Sequence, residues 1–113
     1  MDCVFCKIAA GTIPADVVYS DEELLAFRDI HPMAPVHDVL IPRKHIDSVN
    51  GLSTADQDLA GRMLLTAGKI ATKEGIAESG YRLAINNGPD GTQAVPHLHL
   101  HILGGRLLSE ELG

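Results

Sequence analysis

The chain has 113 residues, 45% of them apolar, with two cysteines, no tryptophan and a formal net charge of −6. That length fits one domain, 1–113, with a core of its own. The acidic balance argues against a protein that tracks a nucleic-acid backbone, which needs a basic face, and no apolar run is long enough to span a membrane.

Asp2 is placed to cap a short first helix, with Phe5 and Ile8 one turn apart and Gly11 ending it. No apolar leader precedes that segment, and two cysteines in a leaderless chain suggest a reducing compartment, so the expected location is the cytoplasm. "TIPAD" turns the chain. "VVYS" and "LLAFRD" read as strands around the acidic turn "SDEE", and "HPMAP" is a proline-broken loop. "HDVLIP" is the next strand, closed by Pro42. The one long helix runs from Thr54 to about Lys73. Thr54 and Gln57 fit a capping box, and Leu59, Met63, Ala67, Ile70 and Ala71 form one apolar stripe. Gly75 ends it, with Lys69 and Lys73 in the last turn. "YRLAIN" is a fourth strand and "NGPDGTQ" a glycine-rich turn into "HLHLHIL"; "GGRLLSEELG" is a short tail. The expected fold is α+β: an antiparallel sheet of about five strands, one long helix against it and a short N-terminal helix.

"HLHLHIL", residues 97–103, alternates with period two, so His97, His99 and His101 share one strand face and Leu98, Leu100 and Ile102 the other. Neighbouring rings then lie roughly 6.5–7 Å apart. Isolated histidines are often half-buried and hydrogen-bonded. Three on one face are costly to bury charged, so the cluster points to catalysis or metal binding. "CVFC", Cys3 to Cys6, has the spacing of a zinc half-site that needs two more ligands. His45 and, most simply, His97 are the candidates; two reduced cysteines packed in a core are the other reading. "NNGPDGTQ" offers backbone amides and Asn86 to an anion, or is an ordinary hairpin turn. His37 is a candidate partner for the three histidines. His31 reads as a loop histidine, and Asp29 is either solvated or an acceptor for sugar hydroxyls.

Taken together these stretches resemble the histidine triad family. Its signature, His-φ-His-φ-His-φ-φ, is met by residues 97–103, and "FCKI", "LAFRDIHPMAPVH", "LIPRKHI", "GYRLAINNG" and "HLHLHILGGR" fall in the family's order. The "GGR" after the triad and the short length look most like the Hint-like branch of purine nucleoside phosphoramidases. The resemblance implies nucleotidyl transfer from a purine nucleoside 5′-phosphoryl group to His99, then hydrolysis. His101 would place donors on the phosphate and His37 would lie beside the scissile bond. Asn86 and Gln93 would contact substrate and Asp29 the ribose hydroxyls. Phe5, Ile8, Phe27 and Ile30 would line the base pocket. It also implies a structural zinc on Cys3, Cys6, His45 and His97, with no metal required for the chemical step, and a homodimer.

The chain departs from the family in three places. Ala94 stands where a serine is usual, Thr92 where glycine is frequent, and the tail after Arg106 lacks an aromatic C-terminus. Two other function classes remain open on the residues alone. One is a metal-dependent hydrolase with His97, His99 and His101 on an open ion. The other is a nucleotide-binding module with little activity.

Overall fold

The computed structural model describes residues 3–111. A single antiparallel sheet forms from β1 (Val17–Ser20), β2 (Leu24–Arg28), β3 (Val36–Pro42), β4 (Tyr81–Ala84) and β5 (Leu100–Gly104), in the order β1-β2-β3-β5-β4. Helix α1 (Val4–Ala9) covers one face and α2 (Gln57–Lys73) the other. The α+β class and the five strands are those expected from the sequence.

Period-two alternation decides what each face buries. Leu24, Ala26, Leu40, Leu98, Leu100 and Ile102 point to α2 and meet its stripe of Leu59, Met63, Ala67, Ile70 and Ala71. Full burial of each large aliphatic is worth about 1.5–3 kcal/mol, so this face carries most of the stability. The opposite face holds Leu25, Phe27, Val39 and Ile41, on which Phe5, Ile8 and Ala9 of α1 pack. That face also receives the histidines.

Local chemistry sets the ends. The β1–β2 turn closes on Asp21, whose Oδ1 accepts from the amides of Glu23 and Leu24 at 2.8 and 2.7 Å. Cys3, not Asp2, caps α1, its sulfur accepting from the Cys6 amide at 3.4 Å; Asp2 lies outside the described residues. The capping box lies one residue earlier than Thr54 and Gln57 indicate, and the α-helix itself begins at Gln57 rather than Thr54. Ser53 and Asp56 form the capping box around a 3-10 turn, Thr54–Asp56, because the Asp56 carboxylate reaches back to the Ser53 amide. At its far end Gly75 takes φ +79°, and the Gly75 and Ile76 amides donate to the Thr72 and Ala71 carbonyls, a Schellman closure.

The histidine strand is shorter than its alternation suggests. Regular pairing begins at Leu100, so only His101 of the three lies within it. Ahead of it the chain bends: the His97 amide bonds to the Val95 carbonyl, and the Leu98 amide bonds outward to the Ile46 carbonyl at 2.7 Å. Leu98 still faces the core, so the alternation of faces survives where the ladder does not. "YRLAIN" likewise ends as a strand at Ala84.

Candidate active site and metal centre

The cap of α1 places two sulfurs one turn apart at the end nearest the sheet. The Nδ1 of His97 lies 3.2 Å from Cys3 Sγ and 3.6 Å from Cys6 Sγ, and the Nδ1 of His45 is 3.3 Å from Cys6 Sγ. All four donor atoms are within 4.8 Å of one another. The outer nitrogens fix the tautomers. The Nε2–H of His97 donates to the Pro42 carbonyl at 2.8 Å, and that of His45 to Asp47 Oδ1 at 2.7 Å. Both rings thus turn an Nδ1 lone pair toward the sulfurs, the arrangement that orients metal-ligating imidazoles. Burial holds the His97 pKa below its ordinary value, which keeps the ring in its neutral, ligating form. Two cysteines and two histidines at this separation suit a closed tetrahedral site.

The next ring along the chain is engaged differently. His99 donates Nδ1–H to the His97 carbonyl at 2.7 Å, so its lone pair sits on Nε2, which has no protein partner among the described residues. Phe5 stands edge-on to it, ring centroids 5.1 Å apart. His101 meets His37 across the β3–β5 ladder: His37 Nε2 and His101 Nδ1 are 2.9 Å apart. Direction follows from the far side of His37, where Nδ1 accepts the Met33 amide at 3.0 Å. His37 is therefore protonated on Nε2 and donates to His101 Nδ1, leaving His101 with an outward Nε2–H. Burial, then the neighbouring His99 and His37, push the His101 pKa down to about 4, and burial lowers that of His37. Both rings are neutral at pH 7, so the chain of donors has one direction.

Asp29, His37 and His101 also cluster closely enough to suggest a metal site. The Met33 amide argues against it. A ring that accepts at Nδ1 must protonate Nε2, the very atom that faces the other two donors. Asp29 instead takes the His31 amide at 2.8 Å and sits 3.5 Å from His37 Nε2. The open-metal reading of the triad fares no better: His97 turns to the cysteines and His101 to His37, so the three rings do not converge.

The other predicted residues divide. Phe5, Ile8 and Phe27 pack together beside His99, with Phe5 and Phe27 centroids 5.5 Å apart. Ile30 does not join them. The Asp29–His31 bond turns the chain and leaves Ile30 86% exposed. Asn86 donates to the Gly91 carbonyl at 2.7 Å, inside its own loop. Gln93 is a brace: its amide nitrogen donates to the Asp47 and Val95 carbonyls and its oxygen accepts from the Gly88 amide.

Sequence and structure comparisons place this geometry among known proteins. A family model described as "HIT domain" matches residues 10–108. The chain belongs to the HIT family. Its relatives include the "Purine nucleoside phosphoramidase" of Escherichia coli K12, 48% identical over 98% of this chain and 93% of that protein. Another is "Adenylylsulfatase HINT1" of Arabidopsis thaliana, 48% identical over 94% of this chain and 73% of that one. The crystal structure of a HIT family hydrolase from Legionella pneumophila Philadelphia 1 superposes with a TM-score of 0.97 at 49% identity, covering 99% of this chain and 100% of that one. The protein is a HIT-type hydrolase.

Three parts of the HIT site are not found by pattern. Asp47 stands two residues after His45 and could have been read as its acceptor; the Pro42 carbonyl and the Met33 amide are backbone groups with no side-chain signal. Thr92, at the place where glycine is frequent, has φ +58°, a left-handed conformation that is costly for a β-branched residue.

Proposed function

We propose that this HIT protein hydrolyses purine nucleoside 5′-phosphoramidates or related nucleotidyl adducts through a covalent intermediate on His99. The observation that carries this reading is the 2.7 Å bond from His99 Nδ1–H to the His97 carbonyl, which presents the Nε2 lone pair. Nε2 attacks the α-phosphorus. The bond from phosphorus to the leaving amine breaks, the electron pair goes to nitrogen, and the amine departs with a proton taken from solvent, which the water of the second step returns. Water then attacks the phosphorus, the P–Nε2 bond breaks, and the imidazole is restored. The outward Nε2–H of His101 is the donor for the phosphate oxygens, where charge builds in each step. Asp29, still partly open to solvent, is the acceptor for ribose hydroxyls, and Phe5, Ile8 and Phe27 are the apolar wall for the base. The phosphoramidase name of the Escherichia coli relative supports the leaving group.

Cys3, Cys6, His45 and His97 would hold zinc, which when bound contributes folding energy and takes no part in the reaction. Elemental analysis of protein purified without chelator should find zinc in near-stoichiometric amount. Cys3→Ser should lose it and lower Tm while leaving kcat within a fewfold of wild type; zinc-free protein of unchanged Tm would remove this assignment. We read the exposed β4 edge, with Leu83 and Ile85, and Leu64 and Leu65 on α2 as the seat of a second copy. Sedimentation equilibrium should give twice the 12.1 kDa chain mass. Cysteines that form no disulfide, Cys3 and Cys6, fit a cytoplasmic setting.

The reaction itself is tested by turnover of adenosine 5′-phosphoramidate with and without EDTA, with circular dichroism to follow the fold. Turnover should persist in chelator as long as the protein stays folded. A folded protein silenced by EDTA would place the chemistry on a metal and overturn the histidine mechanism.

A further inference from the structure

No step of the reaction proposed above uses the "GGR" that follows the histidines directly. Arg106 nevertheless reaches the loop between β2 and β3. Its NH2 donates to the Met33 carbonyl at 3.0 Å, while its NH1 donates to the Leu107 carbonyl at 3.1 Å. The same residue, Met33, gives its amide to His37 Nδ1. One residue is thus held at both ends of its backbone, by Arg106 on one side and by His37 on the other. Its side chain is exposed, so the backbone is what the site uses.

The loop has few other ways to hold that amide in place. Pro32 and Pro35 carry no N–H, and the loop is pinned upstream by the Asp29–His31 bond. The two glycines let the tail come close enough to help. Gly105 sits at φ +93°, and a Cβ there would lie 2.9 Å from Pro35 Cβ; at Gly104 a Cβ would lie 2.8 Å from Ile76 Cδ1. Gly104 and Gly105 therefore permit the tail to lie against the strand end and the loop, and Arg106 grips the loop.

We propose that Arg106 is a positioning residue: by clamping the Met33 peptide it fixes the tautomer of His37 and, through the 2.9 Å contact between the rings, the tautomer of His101. Without the clamp the Met33 amide drifts from Nδ1, and neutral His37 is free to carry its proton on either nitrogen. With the proton on Nδ1, His37 Nε2 becomes an acceptor, His101 must donate to it from Nδ1, and the outward Nε2 of His101 is left as a lone pair facing the phosphate oxygens. The protein then offers repulsion where the reaction needs a donor. The catalytic part of this inference rests on the function proposed above; the tautomer part does not.

The test is ¹⁵N imidazole NMR of wild type, Arg106→Lys and Arg106→Gln near pH 7, beside kcat and KM for adenosine 5′-phosphoramidate. Wild type should show His37 and His101 each protonated on Nε2 alone. Arg106→Gln should show mixed tautomers at both rings and a kcat lower by about ten- to a hundredfold at nearly constant KM, the cost of a misaligned group. Arg106→Lys, which keeps one donor but not the fork, should fall between. Unaltered ring spectra in Arg106→Gln would overturn the proposal whatever the rates do. A wild type that fails to turn over the substrate but shows the tautomer shift in Arg106→Gln would instead overturn the proposed reaction and leave the positioning role standing.

Discussion

His99→Ala is expected to lower turnover of adenosine 5′-phosphoramidate by about four to six orders of magnitude, the scale seen when a nucleophile is removed from a site whose parts act together. The reason is geometric. The other rings of the site have their lone pairs engaged: His97 presents Nδ1 to the cysteines, His37 Nδ1 is filled by the Met33 amide, and His101 Nδ1 by His37. The apolar wall and Asp29 stay in place, so AMP affinity measured by calorimetry should change little. The variant should also fold, because the ring removed packs on Phe5 on the α1 side of the sheet and not in the α2-side core. Turnover within tenfold of wild type would dismiss His99 as the nucleophile.

The second large effect concerns stability. Asp38 lies beside His37 on β3 but points to the opposite face, opposite Ile102, where it is fully buried and neither oxygen has a hydrogen-bond partner among the described residues. Arg28, its neighbour across the β2–β3 ladder, is committed to Asp16 and Glu74 at 3.3 Å each. Burial, then the negative charge of Glu74, pushes the Asp38 pKa up to about 7. The folded protein therefore holds a proton that the unfolded chain, with an ordinary carboxyl, releases near pH 4. Between those values the native state binds more protons than the unfolded one, so stability falls as pH rises from about 4 to about 7 and is level above. A displacement of about three units corresponds to roughly 4 kcal/mol over its whole range. Asp38→Asn carries no such titration. Only about two of those three units are crossed between pH 5 and pH 8, so urea unfolding at the two values should show wild type losing about 1–3 kcal/mol more than the variant; equal losses in both would mean that Asp38 is ionised in the native state.

That residue also shows where sequence reading reached and where it stopped. The five strands and the long helix follow from alternation, turn residues and caps, which are local signals. A charged residue inside "VHDVLIP" was equally legible as an anomaly in a buried strand, but its partners lie in other elements and are visible only after folding. The capping box shifted by one residue because Ser53 and Thr54 are both good caps, and the choice was made by the reach of Asp56. The histidine strand began late because His97 answers to the Cys3–Cys6 pair and to Pro42, long-range partners that override local pattern. The four sulfur and nitrogen donors were nameable because side-chain type announces them. The Met33 amide and the grip of Arg106 on its carbonyl were not, because a backbone group has no letter of its own.

Synthesis of the chain meets a consequence of the way α1 is held. Its six residues include none that is buried, too few to persist as a helix alone. Its anchors come from farther and farther along the chain: Arg43 to the Ala9 carbonyl across 34 positions, His45 to Cys6 across 39, and His97 to Cys3 across 94. At ribosomal speed the last of these emerges on the order of ten seconds after Cys3. The first helix to be made thus waits through most of synthesis for its last anchor, and until then its thiols are open to whatever oxidant or metal the nascent chain meets.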